Sequence, residues 1–83
     1  MEPATEVKAG KRYFVVAKAK PGMMYSGIVM RKNVRTDRFL GEHDVKLKDV
    51  STINPTTGVE TPNDKKFSVQ QFNTMTWTFF ERK

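Results

Sequence analysis

Three stretches of this chain alternate apolar and polar residues with a period of two, which is the mark of a strand with one buried face. The last is the plainest. Met75, Trp77 and Phe79 point one way, and Thr74, Thr76 and Thr78 the other. Residues 66–80 hold four of the six Phe residues and the only Trp, types that favour strands. A terminal strand over 74–81 is therefore expected, with Trp77 seeking a surface to bury it. The first stretch is Lys11 to Lys20. Tyr13, Val15, Ala17 and Ala19 take one face, Phe14 and Val16 the other. Apolar groups on both faces predict a strand covered on both sides, or one that bends around a core. In the third stretch, 44–53, Val45 and Leu47 alternate with Lys46 and Lys48. The phase then slips, since Val50 follows Asp49 where a polar residue is due. A bulge near Asp49 or the end of the strand would explain the slip.

The joints between these stretches carry turn chemistry. Pro21-Gly22 predicts a turn joining the first strand to the run Met23–Arg31 as a hairpin. Gly27 inside that run suggests a bulge or sharp bend, as at the corners of small barrels. Met30 fits core filler, whereas Met23 and Met24 lie beside the turn and are candidates for exposure. Residues 31–44 are polar and irregular, a long loop with a short strand or turn around Phe39-Leu40. Asn54-Pro55-Thr56-Thr57-Gly58 is a turn, and Pro62 with Asn63-Asp64 marks another, leaving room for a short edge strand within 59–66. Ser68 followed three residues later by Gln71 forms a capping box, and Phe67 with Phe72 fits a hydrophobic staple. These predict one helical turn at 69–73 before the final strand.

The expected fold is mainly β: a small antiparallel SH3-like barrel or roll of four to five strands with one short helical turn before the last strand. The order of hairpin, long loop, strand, helical turn and final strand resembles SH3-like barrels. Val7-Lys8-Ala9-Gly10-Lys11-Arg12-Tyr13 together with Ser26-Gly27-Ile28-Val29 resembles the opening of such barrels in transcription and ribosomal proteins. An OB-like barrel is the alternative, although it normally carries a longer helix between its third and fourth strands. Residues 1–9 read as a flexible lead-in and 10–83 as a single small β domain, a size that sustains a small core without staples.

Charge changes the picture more than composition does. Fifteen Lys and Arg against nine Asp and Glu give a net charge of +6, which favours polyanionic partners. Cysteine is absent, so disulfides and thiolate metal sites are excluded. Nothing near the N-terminus reads as a signal peptide, and no apolar run approaches a bilayer span. The expectation is a cytoplasmic protein with no membrane partner.

Candidate chemistry narrows to binding. The only His, His43, stands among Asp37, Glu42, Asp44 and Asp49, too few nitrogen ligands for an ordinary zinc site. A magnesium site from those acids is conceivable, but pairing with nearby Lys and Arg is the simpler reading. No cofactor is expected. No Ser lies in a Gly-x-Ser-x-Gly setting and no glycine loop could cradle phosphates, so the chain is read as not an enzyme.

What remains is a basic surface with aromatics. Arg31, Lys32, Arg35 and Arg38 crowd the first half of the long loop, and Lys46/Lys48 and Lys65/Lys66 add cations. Single-strand binders set exposed aromatics among such cations. Arg12-Tyr13-Phe14, Tyr25 beside Gly27 and Phe39 beside the basic loop are the candidates for stacking, with Phe39 and Tyr25 preferred. Within Arg12-Tyr13-Phe14 the two rings are read as core. Phe80 is out of phase with the core and open to stacking, oligomer contact or contact with the lead-in. The expected nucleic-acid-binding residues are thus Arg31, Lys32, Arg35, Arg38, Phe39, Tyr25, Lys46 and Lys48, with DNA or RNA as partner. The alternative is a protein-binding module, such as a small regulator or inhibitor of a larger enzyme or a structural subunit, with Met23, Met24 and Phe80 seeding the interface.

Overall fold

A computed structural model describes residues 3–4, 6–30 and 44–81. They form six antiparallel strands: β1 (Arg12–Ala17), β2 (Met24–Val29), β3 (Asp44–Ile53), β4 (Glu60–Pro62), β5 (Gln70–Asn73) and β6 (Trp77–Glu81). The sheet runs β4-β3-β2-β1-β6, and β5 joins the edge of β3 that β4 also uses. The fold is thus mainly β, with one strand more than the pattern suggested. Among the described residues the sheet does not close on itself. The Pro21-Gly22 turn is present, with the Met23 amide donating to the Lys20 carbonyl at 2.8 Å.

Alternation decides what is buried. Tyr13 and Val15 from β1, Val29 from β2, Val45, Leu47 and Val50 from β3, Phe72 from β5 and Phe79 from β6 fill the core. Tyr13 meets Phe79 edge-on at 6.5 Å between centroids, and Phe72 meets Trp77 edge-on at 4.9 Å. These are favoured offsets for aromatic pairs. Trp77 itself is half-buried. Phe14 and Val16, on the other side of β1, pack on the outer face of the sheet. The two-sided apolar pattern of this stretch therefore reports a strand with an inner core and a second, smaller apolar cluster outside.

The slip of phase in β3 is a bulge. The ladder between β2 and β3 passes from Ser26↔Ser51 to Ile28↔Lys48, so Asp49 and Val50 stand opposite Gly27. Asp49 has a φ of 51°, a left-handed conformation that Asp tolerates better than most residues. Gly27 is required by proximity. A methyl group there would stand 2.9 Å from Leu47 Cβ and 3.2 Å from the Lys48 carbonyl oxygen.

The structure corrects three local expectations. The first concerns 69–73, expected as a helical turn. The turn is a 3-10 turn one step earlier, at Lys65–Phe67, and residues 70–73 are strand β5. Ser68 ends that turn, its Oγ donating to the Lys65 carbonyl at 2.8 Å, and is not an N-cap. Phe67 is left exposed while Phe72 enters the core. A single helical turn gains little from its few hydrogen bonds, whereas pairing with β3 satisfies the same backbone and buries Phe72 beside Val45.

The second concerns the last strand, which starts at Trp77 instead of Thr74. Asn73 turns the chain, its Oδ1 accepting the Met75 amide at 2.8 Å. Met75 is exposed in that turn. The third concerns the lead-in. Val7 is fully buried in the core, the Ala4 amide donates to the Phe79 carbonyl at 2.7 Å, and the Lys8 amide donates to the Tyr13 hydroxyl at 2.8 Å. Ala4, Val7 and Lys8 are thus tied to the core instead of standing apart from it.

Two measurements test this packing. Gly27→Ala should lower the urea midpoint by the equivalent of about 1–3 kcal/mol, the usual cost of overpacking. Asp49→Gly should be neutral or stabilising by up to about 1 kcal/mol, because it relieves a left-handed residue. A tolerated Gly27→Ala would contradict the close approach.

The second measurement uses Tyr13. Burial raises its pKa above the ordinary tyrosine value, and the hydrogen bond from Lys8 opposes this only in part. The unfolded phenol ionises first, near pH ~10, so the stabilisation from Tyr13 is complete below that pH. It is lost as pH rises towards the folded pKa. Tyr13→Phe should therefore flatten the alkaline fall of stability in denaturant titrations. An unchanged alkaline slope would show that Tyr13 is not the group responsible.

Candidate nucleic-acid interface

Residues directly opposite one another on paired strands share a face, so the register gives the layout of the outer face. Arg12 stands opposite Ile28, and Ile28 opposite Lys48. Lys46 lies one row further along β3, about 7 Å away by strand geometry. In the other direction from Arg12 comes Phe14, opposite both Ser26 and Phe80. Next to it lies the row of Val16, Met24 and Ile53. One face of the sheet thus carries cations at one end and apolar groups at the other.

Lys46 and Lys48 have no acid paired to them among the described residues. Among the described residues, salt bridges join only Lys8 to Glu6 and Lys11 to Glu81. Lys48 is exposed and Lys46 half-buried. Arg12 donates from Nη1 to Ser26 Oγ at 3.3 Å, and Ser26 Oγ donates to Glu60 Oε2 at 3.0 Å. Ser26 is fully buried, so this chain fixes the Arg12 side chain and ties β4 down. Beyond it lies a groove of about 500 Å³ lined by Phe14, Val16, Met24, Ile53, Glu60 and Phe80.

The structure divides the residues expected to bind. Lys46 and Lys48 share the outer face. Tyr25 lies on the opposite face, tilted against Phe72 at 5.9 Å and Trp77 at 5.7 Å, with its edge on a second groove formed with Thr52, Asn63, Phe67 and Gln70. Arg31, Lys32, Arg35, Arg38 and Phe39 lie outside the described residues, as do Asp37, Glu42 and His43. The chain that carries them leaves the sheet at Met30, whose amide donates to the Lys46 carbonyl at 3.0 Å, and returns at Asp44. Met30 and Asp44, the described residues that flank them, lie at the cationic end of the sheet. Of the remaining acids, Asp44 accepts from Asn73 Nδ2 at 3.0 Å and Asp49 holds the bulge.

Two features escaped the sequence pattern. Arg12 joins Lys48 and Lys46 only through the register, although its place before the Phe14/Val16 face was visible. Phe14, read as core, pairs with Phe80 on the outer face, and both were out of phase with the buried alternation. Near Tyr25, Phe67 is exposed with Lys66 Nζ seated 5.3 Å from its ring centroid, so a cation already covers that ring. A comparison with known proteins finds no matching family model, no matching curated protein and no matching solved structure.

Proposed function

We propose that this chain is a non-enzymatic nucleic-acid-binding β domain that holds DNA or RNA by its phosphates across the outer face of the sheet. The observation that carries this reading is the grouping of Arg12, Lys48 and Lys46 in neighbouring rows, with no described carboxylate paired to the two lysines. Arg31, Lys32, Arg35 and Arg38 fall in sequence between Met30 and Asp44, which stand at that same end. These seven cations, in a chain of net charge +6, give an electrostatic surface for a polyanion. Phosphate contacts of this kind supply affinity and register, with little discrimination among sequences.

The test is binding across a range of salt concentrations. Lys46→Gln/Lys48→Gln should weaken binding and lower the slope of log affinity against log salt by about 1.4–1.8, since each phosphate contact contributes about 0.7–0.9. Lys18→Gln/Lys20→Gln, at the far end of β1, should leave the slope unchanged. Equal slopes for the parent and the Lys46/Lys48 variant would overturn the reading. So would a parent that binds neither DNA nor RNA at near-physiological salt but captures one protein regardless of salt. That second result would favour the protein-binding module, with the apolar groove as its interface.

A further inference from the structure

We infer that the apolar end of the outer face is a base-stacking site, so that the ligand is single-stranded. This rests on the nucleic-acid reading above and adds to it the class of nucleic acid. The cations of Arg12 and Lys48 and the rings of Phe14 and Phe80 occupy successive rows of one face. Adjacent rows lie about 7 Å apart along a strand. A nucleotide whose phosphate meets Lys48 carries its base towards the next row, into which the Arg12 side chain reaches to bond Ser26. That row holds Phe14 and Phe80 directly opposite each other, both half-buried, at the wall of the groove of about 500 Å³.

The charge layout sets the direction. Glu60 lines the groove and shares the Ser26 hydroxyl with Arg12, so a phosphate is repelled from the groove and drawn to Lys48 and Lys46. A base has no net charge and offers a flat apolar face, and its amino groups suit a carboxylate acceptor. Bases in a duplex are stacked on one another, so only an unpaired base can present its face to the protein. Phe67, the one exposed ring among the described residues, is a poorer platform because Lys66 lies over it and Asp64 precedes the turn.

The experiment measures fluorescence anisotropy of a short mixed-sequence DNA strand, its RNA counterpart and its DNA duplex, all at one salt concentration. Phe80→Ala should weaken both single strands by about 5- to 150-fold, the loss expected for one stacked base. Duplex affinity and the salt slope should not change. Phe80→Leu keeps apolar bulk without a flat ring and should show the same selective loss, which separates stacking from an unfolded variant. Phe67→Ala should bind as the parent does. Parent-like single-strand binding by Phe80→Ala and Phe80→Leu, with Lys46→Gln/Lys48→Gln still impaired, would overturn the stacking site and leave the nucleic-acid reading standing. A selective loss in Phe67→Ala instead would move the base to the groove beside Tyr25 and overturn the inference in the same way. A parent that binds none of the three probes would overturn both.

Discussion

The contact between Leu47 and the bare backbone of Gly27 is the one on which the arrangement of the sheet depends. It lets β3 approach β2 closely just where β3 gains an extra residue. The bulge at Asp49 resets the alternation. Before it, Val45 and Leu47 face the core and Lys46 and Lys48 face out. After it, Val50 faces the core, and Ser51 and Ile53 face out. Without the extra residue, Val50 would follow Lys48 to solvent and Ile53 would point inward, since a slip of one residue reverses every side chain.

The same bulge explains how one strand serves two partners along a single edge. β5 pairs with Asp44–Leu47 and β4 with Ser51–Ile53. Between them, the Val50 amide donates to the Ser68 carbonyl and the Val50 carbonyl accepts the Asn63 amide, each at 3.0 Å. The 3-10 turn at Lys65–Phe67 thus bridges the gap opposite the bulge, and the backbone groups of Val50 stay satisfied there. The consequence for function is an outer face with two halves. Cations come from the part of β3 before the bulge, and apolar groups from the part after it. Arg12, Phe14 and Val16 continue both halves across β1.

Much of this was legible in the chain itself. The slip at Asp49, the need for Gly27 and the burial of Tyr13, Val15 and Phe79 follow from alternation, which is a local property. The helical turn at 69–73 did not survive, because the capping signals of Ser68 and Gln71 are worth little beside a ladder with a distant strand. The place of Val7 was hidden for the same reason. The burial of Val7 depends on β6, far along the sequence. Part of the proposed interface was legible as charge: Lys46 and Lys48 stood out, whereas Arg12 joined them only through a register between strands. Tyr25 lay beside Gly27 in sequence, but alternation along β2 sends its ring to the opposite face from the lysines.

The central claim is that the outer face, cationic at one end and aromatic at the other, is where a nucleic acid strand lies. NMR of the protein with selectively labelled Phe, Tyr and Trp rings, titrated with a short single strand, tests it most directly. Ring currents from stacked bases should move the Phe14 and Phe80 signals upfield, while those of Tyr25, Phe72 and Trp77 hold their positions. Saturable shifts confined to Tyr25 and Phe67, with Phe14 and Phe80 unmoved, would contradict the account.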